Sequence, residues 1–218
     1  MIWLFDAGNT LVFLDHDVIA DVASVPRPRV RRAEGVAKRG YEAKLRAGSG
    51  HASGWDLFMA TLLEEAGAAD PPSALRALKA EHARFNLWRR VPEGLLEALD
   101  RAAEAGVRMG VVSNSEGQLE RLFARVGLQG RFEVIVDSAI VGISKPDPRI
   151  FEIALEAMGV SDPAEATYVG DIPSVDIDGA RAAGLSAVLV DELDFYPEQP
   201  DRRRSIVALV REIAAGLV

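Results

Sequence analysis

The first twelve residues place a carboxylate where it can do chemistry. The short apolar run from Met1 ends at Asp6, and a turn of small residues follows. This pattern predicts a strand buried on both faces, as in a parallel sheet. Asp6 then lies at the carboxyl end of the strand, where open α/β sheets bind their ligands. Gly8 and Asn9 tolerate the positive φ of a tight turn. Asp6 is therefore a candidate nucleophile or metal ligand, and the alternative is that it only caps the turn.

Polar residues also follow later strands of the sequence. A strand predicted at 107–112 ends at Ser113, and another at 166–169 ends just before Asp171. The ligand-binding crevice of an open α/β sheet lies at the carboxyl ends of its parallel strands. The sequence therefore predicts that Asp6, Ser113 and Asp171 gather on one rim of the sheet.

The elements that must position these residues alternate between helices and strands from about residue 93 onwards. Such alternation indicates βαβ units, a parallel sheet and right-handed crossovers. We predict an α/β protein whose core, residues 1–14 and 93–218, is a Rossmann-like parallel sheet in three layers (α/β/α). Ser115 is the expected cap of the helix that follows it, and 194–204 is predicted to be a solvated loop. The helices are predicted at 93–105, 116–126, 148–159, 174–183 and 205–217, and the further strands at 107–112, 132–136, 166–169 and 185–190.

Residues 15–92 are predicted to form an inserted all-helical domain without strands. Pro26 and Pro28 are predicted to break the chain between its first two helices. Gly48 is expected to end the second helix, and Ser53 to cap the third. Because this insert leaves the core directly after the first strand, it is placed to act as a lid. Apolar residues at helical spacing give helices at about 17–24, 29–47, 53–67 and 70–85.

The composition limits the binding partners and the cellular compartment that we expect for the protein. The chain has 218 residues, 49% of them hydrophobic, a mean hydropathy of +0.07 and a net charge of −8. The acidic balance argues against a nucleic-acid partner, and no apolar stretch approaches the roughly 18 residues of a membrane span. The chain has no cysteine, which excludes disulfides, thiolate nucleophiles and Cys-ligated zinc. With no signal peptide visible, we predict a cytoplasmic location.

Four motifs follow one another at strand ends: Asp6-Ala-Gly-Asn-Thr-Leu11, Val112-Ser-Asn-Ser115, Ser144-Lys-Pro-Asp147 and Val169-Gly-Asp-Ile-Pro-Ser-Val-Asp176. In this order and at this spacing they resemble the motifs of the haloacid dehalogenase (HAD) superfamily of hydrolases. The resemblance covers the whole chain, including the insert, which looks like the helical cap of that superfamily. It implies a phosphatase-like hydrolase that acts on a small phosphorylated substrate.

The resemblance implies a nucleophile and a metal site. Asp6 would attack phosphorus and form an aspartyl-phosphate, as carboxylates do in other phosphotransfer enzymes. Two anions then meet, so a cation is required, and Mg²⁺ prefers hard oxygen ligands. The resemblance assigns to Mg²⁺ the side chains of Asp6 and Asp171 and the backbone carbonyl of Gly8. Asp176 would be an additional ligand or orient metal-bound water, and compensation of a helix N-terminus is its alternative role.

The resemblance also implies contacts with the phosphate. Lys145 would neutralise the nucleophile and the phosphate together. Ser113 would donate its hydroxyl to a phosphoryl oxygen, and a helix cap is its alternative role. Asn9 and Thr10 would shape the loop and donate hydrogen bonds. Asn114 would contact the substrate, with a local backbone contact as the equal alternative.

The sequence departs from the superfamily's pattern at Gly8. Phosphatases of the superfamily usually carry there a second aspartate, which protonates the leaving oxygen and later activates water. A general acid–base of this kind contributes roughly 10²–10⁴-fold. One interpretation is a phosphatase for leaving groups of low pKa. In another, Asp15, His16 or Asp17 supplies the proton, although a solvated linker residue is the more ordinary interpretation of His16.

Two further interpretations stay open. Dehalogenases of the superfamily also lack the second aspartate, since a halide needs no protonation; they have no use for Mg²⁺, however, and the retained Asp171 and Asp176 favour the metal-dependent branch. The other is a non-catalytic phosphate-binding protein, against which the retained Asp6 and Lys145 argue. Ser–His–Asp hydrolysis is excluded, because no histidine lies after His82. No short motif specifies the substrate or the oligomeric state.

Overall fold

The strands and helices of this computed structural model, which describes residues 1–46, 54–199 and 201–218, alternate along most of the chain. Within those ranges every helix is too short or too polar to cross a membrane. The strands are β1 (Ile2–Phe5), β2 (Phe13–Leu14), β3 (Trp88–Arg90), β4 (Arg108–Ser113), β5 (Val134–Asp137), β6 (Ala166–Gly170) and β7 (Ser186–Leu189). The helices are α1 (His16–Ala23), α2 (Arg27–Arg46), α3 (Gly54–Ala66), α4 (Pro71–Arg84), α5 (Leu95–Glu104), α6 (Leu119–Val126), α7 (Ser138–Val141), α8 (Arg149–Ala157), α9 (Asp178–Ala182) and α10 (Ile206–Ala214).

The chain forms two compact units, of which the first comprises Met1–Phe13 and Arg90–Val218. This unit is built on a five-stranded sheet with the strand order β5-β4-β1-β6-β7. All four strand pairs are parallel. Parallel neighbours need long crossover connections, which the helices supply. The predicted α/β class, a parallel sheet with flanking helices, is therefore confirmed.

The position of β1 in the middle of the sheet places Asp6 at the centre of the rim. Phe5 is in register with Val169 of β6, and the Asp6 backbone N–H donates to the Val169 carbonyl at 2.8 Å. On the other side, Ser113 of β4 is in register with Asp137 of β5. The carboxyl ends of these strands therefore lie at one edge, as the sequence predicted.

The central strands are buried on both sides. Successive strand residues point to opposite faces of a sheet. Leu4 and Tyr168 belong to a buried cluster that includes side chains of α8 and α9. Phe5 lies on the other face, where its ring meets that of Phe132 edge-on with 6.3 Å between centroids. The unbroken apolar run of β1 reflects this two-sided burial.

The second unit, Leu14–Arg89, is built from the four helices α1 to α4. At the start of α4, the Asp70 carboxylate accepts the Ser73 N–H at 3.0 Å, an N-cap followed by prolines in the first turn. Apolar side chains from all four helices form one buried cluster, which includes Ile19, Ala20, Val30, Ala33, Phe58, Met59, Leu62, Leu63, Ala74 and Leu78. The unit therefore has a hydrophobic core of its own.

Two predictions for this part of the chain are wrong. It is not free of strands, because β3 pairs with β2 in a two-stranded sheet. Strands of two and three residues are too short to show a period-two pattern. Pro28 does not break the chain, because α2 begins at Arg27. A proline in the first turn lacks only an N–H that has no partner within the helix. The predictions for Gly48 and Ser53 lie outside the described residues.

The segment after β7 is more than the solvated loop that the sequence predicted. Phe195 and Tyr196 are buried in a small cluster with Ile177 and Leu189. The Asp191 carboxylate accepts the N–H groups of Phe195 at 2.7 Å and of Tyr196 at 2.9 Å. The two aromatic side chains indicate this packing in the sequence. The prediction missed it because most other residues of the segment are polar.

Candidate active site

The turn after β1 holds Asp6 at the rim. The N–H groups of Leu11 and Val12 both donate to the Ala7 carbonyl at 2.9 Å, and the Asn9 N–H donates to the Val12 carbonyl at 2.7 Å. Asn9 has a φ of +53°, a conformation in which asparagine is several-fold enriched. The turn is therefore closed by its own backbone, and the Asp6 carboxylate at its start is held in a buried position.

Lys145 supplies the positive charge that contacts Asp6. Its Nζ donates to Asp6 Oδ1 at 2.6 Å, to Asp176 Oδ1 at 2.6 Å and to the Tyr168 hydroxyl at 2.7 Å. An ammonium has three protons, so all of them are engaged. Burial alone would lower the pKa of Lys145, but the charges of Asp176 and Asp6 outweigh burial and raise that pKa. The side chain is therefore charged at neutral pH.

Three buried carboxylates face this ammonium. Oxygen atoms of Asp6, Asp171 and Asp176 all lie within 4.8 Å of one another, and each residue is at most 6% exposed. Burial raises the pKa of Asp6 against the lowering influence of Lys145, and the charge of Asp176 raises it further. Close carboxylates disfavour one another's ionised forms. The excess negative charge and the hard oxygen donors therefore fit a divalent cation such as Mg²⁺.

Asp176 holds the loop that follows β6. Its Oδ2 accepts the N–H groups of Asp171 at 3.0 Å and of Ile172 at 2.8 Å, while its Oδ1 accepts from Lys145. Gly170 permits this approach, because a Cβ at position 170 would lie 2.4 Å from the Asp176 Cβ. The Asp176 carboxylate thus joins the Asp171 loop to Lys145.

Ser113 and Asn114 leave β4 together but meet different partners. The buried Ser113 side chain hydrogen-bonds to Asp6. Asn114 uses both ends of its amide on the backbone of Lys145: Oδ1 accepts the N–H at 2.7 Å, and Nδ2 donates to the carbonyl at 3.0 Å. The structure shows the backbone contact of Asn114, whereas its contact with substrate stays a prediction.

Asp137, rather than Ser115, caps the start of the next helix, so the prediction for Ser115 is wrong. Asp137 Oδ1 accepts the Gly117 N–H at 3.0 Å, and Oδ2 accepts the Leu119 N–H at 3.4 Å. The Ser115 N–H donates instead to the Ser138 hydroxyl at 3.0 Å. A carboxylate has two separate acceptor oxygens, and here each of them accepts a different N–H group of the segment that leads into the helix.

Gly8 and Thr10 complete the predicted set. Thr10 is fully buried, and its hydroxyl has no hydrogen-bond partner among the described residues. Gly8 is partly exposed and forms a backbone bridge with Val12. The predicted residues are thus either in the cluster itself (Asp6, Ser113, Lys145, Asp171, Asp176), in the turn beside it (Gly8, Asn9, Thr10) or against the Lys145 backbone (Asn114).

Sequence reasoning missed Tyr168. Its hydroxyl lies 2.7 Å from Lys145 Nζ, 2.8 Å from the Val112 carbonyl and 3.3 Å from Asp176 Oδ1. The sequence did offer an indication, since Tyr168 places a phenol hydroxyl in a short strand, two residues before Gly170.

Fold and site together define an α/β protein with a cluster of buried carboxylates at the carboxyl rim of a parallel sheet. Residues 2–184 match the haloacid dehalogenase-like hydrolase family. The chain belongs to this family, which confirms the resemblance found in its four motifs.

Two relatives carry phosphatase names. A phosphoserine phosphatase from Thermus thermophilus is 41% identical over 143 residues, which cover 64% of this chain and 55% of that protein. The chain thus matches little more than half of that relative's length. A glyceraldehyde 3-phosphate phosphatase from Methanopyrus kandleri is 32% identical over 182 residues, covering 77% of this chain and 75% of that protein.

The fold recurs in solved structures. The HAD phosphatase from Thermococcus onnurineus has a TM-score of 0.63, with 99% of this chain and 98% of that chain covered. The two sequences are 23% identical, so this likeness concerns the fold alone.

Proposed function

We propose that the protein is a Mg²⁺-dependent phosphatase that hydrolyses a small phosphomonoester through an aspartyl-phosphate on Asp6. The observation that carries this proposal is the cluster of three buried carboxylates around Lys145 at the end of β1. The phosphatase names of the two relatives support the reaction class. The same cluster disfavours a dehalogenase, because that reaction needs no cation.

The proposed metal site uses the carboxylates of Asp6 and Asp171 and the backbone carbonyl of Gly8. Mg²⁺ bound there would neutralise charge on the phosphate and on the nucleophile. Both Asp176 oxygens already accept hydrogen bonds, from Lys145 on one side and from the Asp171 loop on the other. We therefore propose that Asp176 positions the metal loop, with direct ligation as a secondary role.

Asp6 is the proposed nucleophile. One of its carboxylate oxygens bonds to phosphorus while the bond from phosphorus to the leaving oxygen breaks, and that electron pair departs with the leaving group. Water then attacks phosphorus, which releases inorganic phosphate and restores Asp6. Lys145 offsets the negative charge of this step, and Ser113, Asn9 and Thr10 are proposed donors to the phosphoryl oxygens.

Gly8 limits the substrate class in this proposal. The turn after Asp6 offers no titratable side chain, so the leaving group departs without a proton from this turn. Aryl and acyl phosphates, whose leaving groups have a low pKa, need such a proton least. The three alternative donors all have partners within the second unit. Asp15 forms an ion pair with Arg89 at 2.9 Å and Asp17 forms one with Arg27 at 3.1 Å, while His16 shares a hydrogen bond with Glu34 at 2.5 Å.

We propose that the second unit, predicted as residues 15–92 and observed as Leu14–Arg89, serves as the cap that selects the substrate. Its own hydrophobic core and its insertion between the first two motifs support this role. A cytoplasmic location is also part of the proposal, supported by the absence of cysteine from the sequence.

A phosphatase screen with and without Mg²⁺ tests the proposed function. Phosphate release from p-nitrophenyl phosphate and from an alkyl phosphate is compared between wild type and Asp6→Asn. We expect Mg²⁺-dependent turnover that favours the aryl ester and is lost in the variant. Equal rates for wild type and Asp6→Asn on both esters would overturn the proposal. Chloride release from 2-chloropropionate without Mg²⁺ would establish dehalogenation instead.

Gly8→Asp tests the argument about the leaving group. Adding the missing acid should raise alkyl phosphate turnover by about 10²-fold relative to the aryl ester. Unchanged alkyl turnover would mean that another residue already supplies the proton.

A further inference from the structure

Tyr168 is held rigidly in the core with its hydroxyl at the rim. The residue is fully buried. Its ring stands perpendicular to that of Phe151, with 4.9 Å between the ring centroids. A ring fixed in this way leaves its hydroxyl oxygen little freedom to move, so the contacts of that oxygen are set by the fold.

The hydrogen bonds of the Tyr168 hydroxyl have a definite direction. The Lys145 ammonium has only protons to offer, so the phenol oxygen must accept from it at 2.7 Å. The single phenol proton then goes to the Val112 carbonyl at 2.8 Å, since Asp176 Oδ1 is farther away at 3.3 Å. Burial, helped by the charge of Asp176, raises the pKa of Tyr168 well above its ordinary value. The hydroxyl therefore keeps its proton.

This arrangement is costly for a core residue. A buried hydroxyl must find hydrogen-bond partners, whereas phenylalanine would fill nearly the same volume without that requirement. Here both partners belong to the site: Lys145 contacts Asp6, and Val112 directly precedes Ser113. The hydroxyl of Tyr168 therefore contributes to the contacts of the site rather than to the packing of the core.

We propose that Tyr168 is a positioning residue whose hydroxyl fixes the Lys145 ammonium between Asp6 and Asp176. A lysine side chain is long and flexible, and two carboxylate contacts alone leave its ammonium free to tilt towards either one. The third contact removes this freedom and ties Lys145 to the end of β4. For its kinetic part, this inference rests on the phosphatase function proposed above.

The kinetic test compares Tyr168→Phe with Tyr196→Phe, which alters a buried tyrosine of the separate cluster with Leu189 and Phe195. For p-nitrophenyl phosphate we expect Tyr168→Phe to lower kcat by about 10-fold or more, the range of a hydrogen bond to a charged group, with little change in KM. In a Lys145→Met background the same substitution should cause no further loss. If Tyr168→Phe lowers kcat by the same factor in wild type and in Lys145→Met, Tyr168 does not act through Lys145, and the proposal is overturned.

A second readout does not depend on activity. The chain has four lysines, so the ¹⁵N signal of the Lys145 ammonium can be assigned with Lys145→Met. Tyr168→Phe should increase the mobility of this ammonium in ¹⁵N relaxation. The control variant Tyr196→Phe should leave that mobility unchanged. If Tyr168→Phe also leaves it unchanged, the proposal is overturned. If wild type shows no turnover beyond Asp6→Asn, the phosphatase function fails while this measurement still decides the role of Tyr168.

If Tyr168→Phe does not unfold cooperatively, the reciprocal experiment replaces it. In protein labelled with 3-fluorotyrosine, Lys145→Met should shift the ¹⁹F signal of Tyr168 and leave those of Tyr41 and Tyr196 in place. Three unshifted signals would contradict the contact.

Discussion

Four buried aspartates follow strands of the same parallel sheet, yet the central pair and the flanking pair do different things. Asp6 follows β1 and Asp171 follows β6, in the middle of the sheet. Asp137 ends β5 and Asp191 follows β7, at its two edges. The local strand pattern, without the four motifs, does not distinguish them, because each is a carboxylate at the end of an apolar strand.

The carboxylate oxygens of the two flanking aspartates accept hydrogen bonds from backbone N–H groups of nearby loops. Asp137 accepts three N–H groups, from Gly117, Leu119 and Ala139. Asp191 accepts two N–H groups and forms an ion pair with Arg202. Their oxygens are thus satisfied by nearby N–H groups, as is usual for the buried acceptors of helix and turn caps.

The central aspartates instead belong to a cluster in which three carboxylates face one ammonium. Carboxylates buried close together disfavour one another's charged forms, and groups perturbed in this way cluster at functional sites. We propose that the surroundings of a carboxylate, rather than its place at a strand end, separate a reactive group from a cap.

The largest effect is expected for Asp6→Asn. Removing the nucleophile should lower kcat by at least about 10³-fold, as for other enzymes that lose a nucleophile. The Tm should stay the same or rise, because burial raises the pKa of Asp6 and the fold therefore disfavours its charged form. Steady-state kinetics and thermal unfolding of the variant check both statements. Loss of stability together with retained activity would make Asp6 a cap like Asp137.

A smaller effect is expected for Gly170→Ala. The new Cβ would lie 2.4 Å from that of Asp176, so Asp176 must move away from the Asp171 loop. Displacing a group that supports a metal ligand costs about 10–100-fold in metal affinity or activity, and the Mg²⁺ concentration for half-maximal activity should rise accordingly. Gly40→Ala is the control, since among the described residues beyond its own stretch of helix nothing lies within 4 Å of its Cβ position. Equal Mg²⁺ dependence in both variants would contradict the positioning role of Asp176.

For the flanking pair, Asp191→Asn should act on stability rather than on chemistry. The amide offers a single acceptor oxygen, so one of the N–H groups of Phe195 and Tyr196 loses the oxygen to which it donates. Such a loss costs about 1–3 kcal/mol in the free energy of unfolding, which urea denaturation measures. Activity per folded molecule should stay close to wild type. A collapse of kcat without loss of stability would place Asp191 among the reactive carboxylates.

The smallest expected effect is a pH dependence of stability. The pKa of Lys145 is raised above its usual 10.5 in the folded state, so the folded protein binds this proton more tightly than the unfolded chain does. The stabilisation is complete below pH 10.5 and is lost as the pH rises through the folded pKa. The difference in unfolding free energy between wild type and Lys145→Met should therefore narrow at alkaline pH. A constant difference would contradict the ion pairs of Lys145.

The sequence could predict the parallel α/β class and the rim position of Asp6, Ser113 and Asp171, because these follow from local patterns. An apolar run followed by a turn of small residues determines where a strand ends, and parallel strands end together. The match to the family confirms the class, and the roles of the individual residues stay proposals.

The contacts of Tyr168 and Asp137 could not be predicted, because they join residues far apart in the sequence. Tyr168 reaches Lys145 across 23 positions, and which way its ring points depends on the face that Phe151 occupies. Asp137 displaces Ser115 as the cap for the same reason, since its carboxylate comes from the next strand. The strands β2 and β3 were missed because they are too short for a pattern.

The central claim is that Asp6 carries the phosphoryl group during turnover, and trapping that group tests it most directly. Wild type is mixed with p-nitrophenyl phosphate and Mg²⁺, quenched in acid within one turnover, digested and analysed by mass spectrometry. We predict that the peptide containing Asp6 gains one phosphoryl group, that chase with water removes it, and that Asp6→Asn shows none. An enzyme that turns over this substrate without phosphorylation of that peptide, or with the phosphoryl group on another residue, would contradict the account.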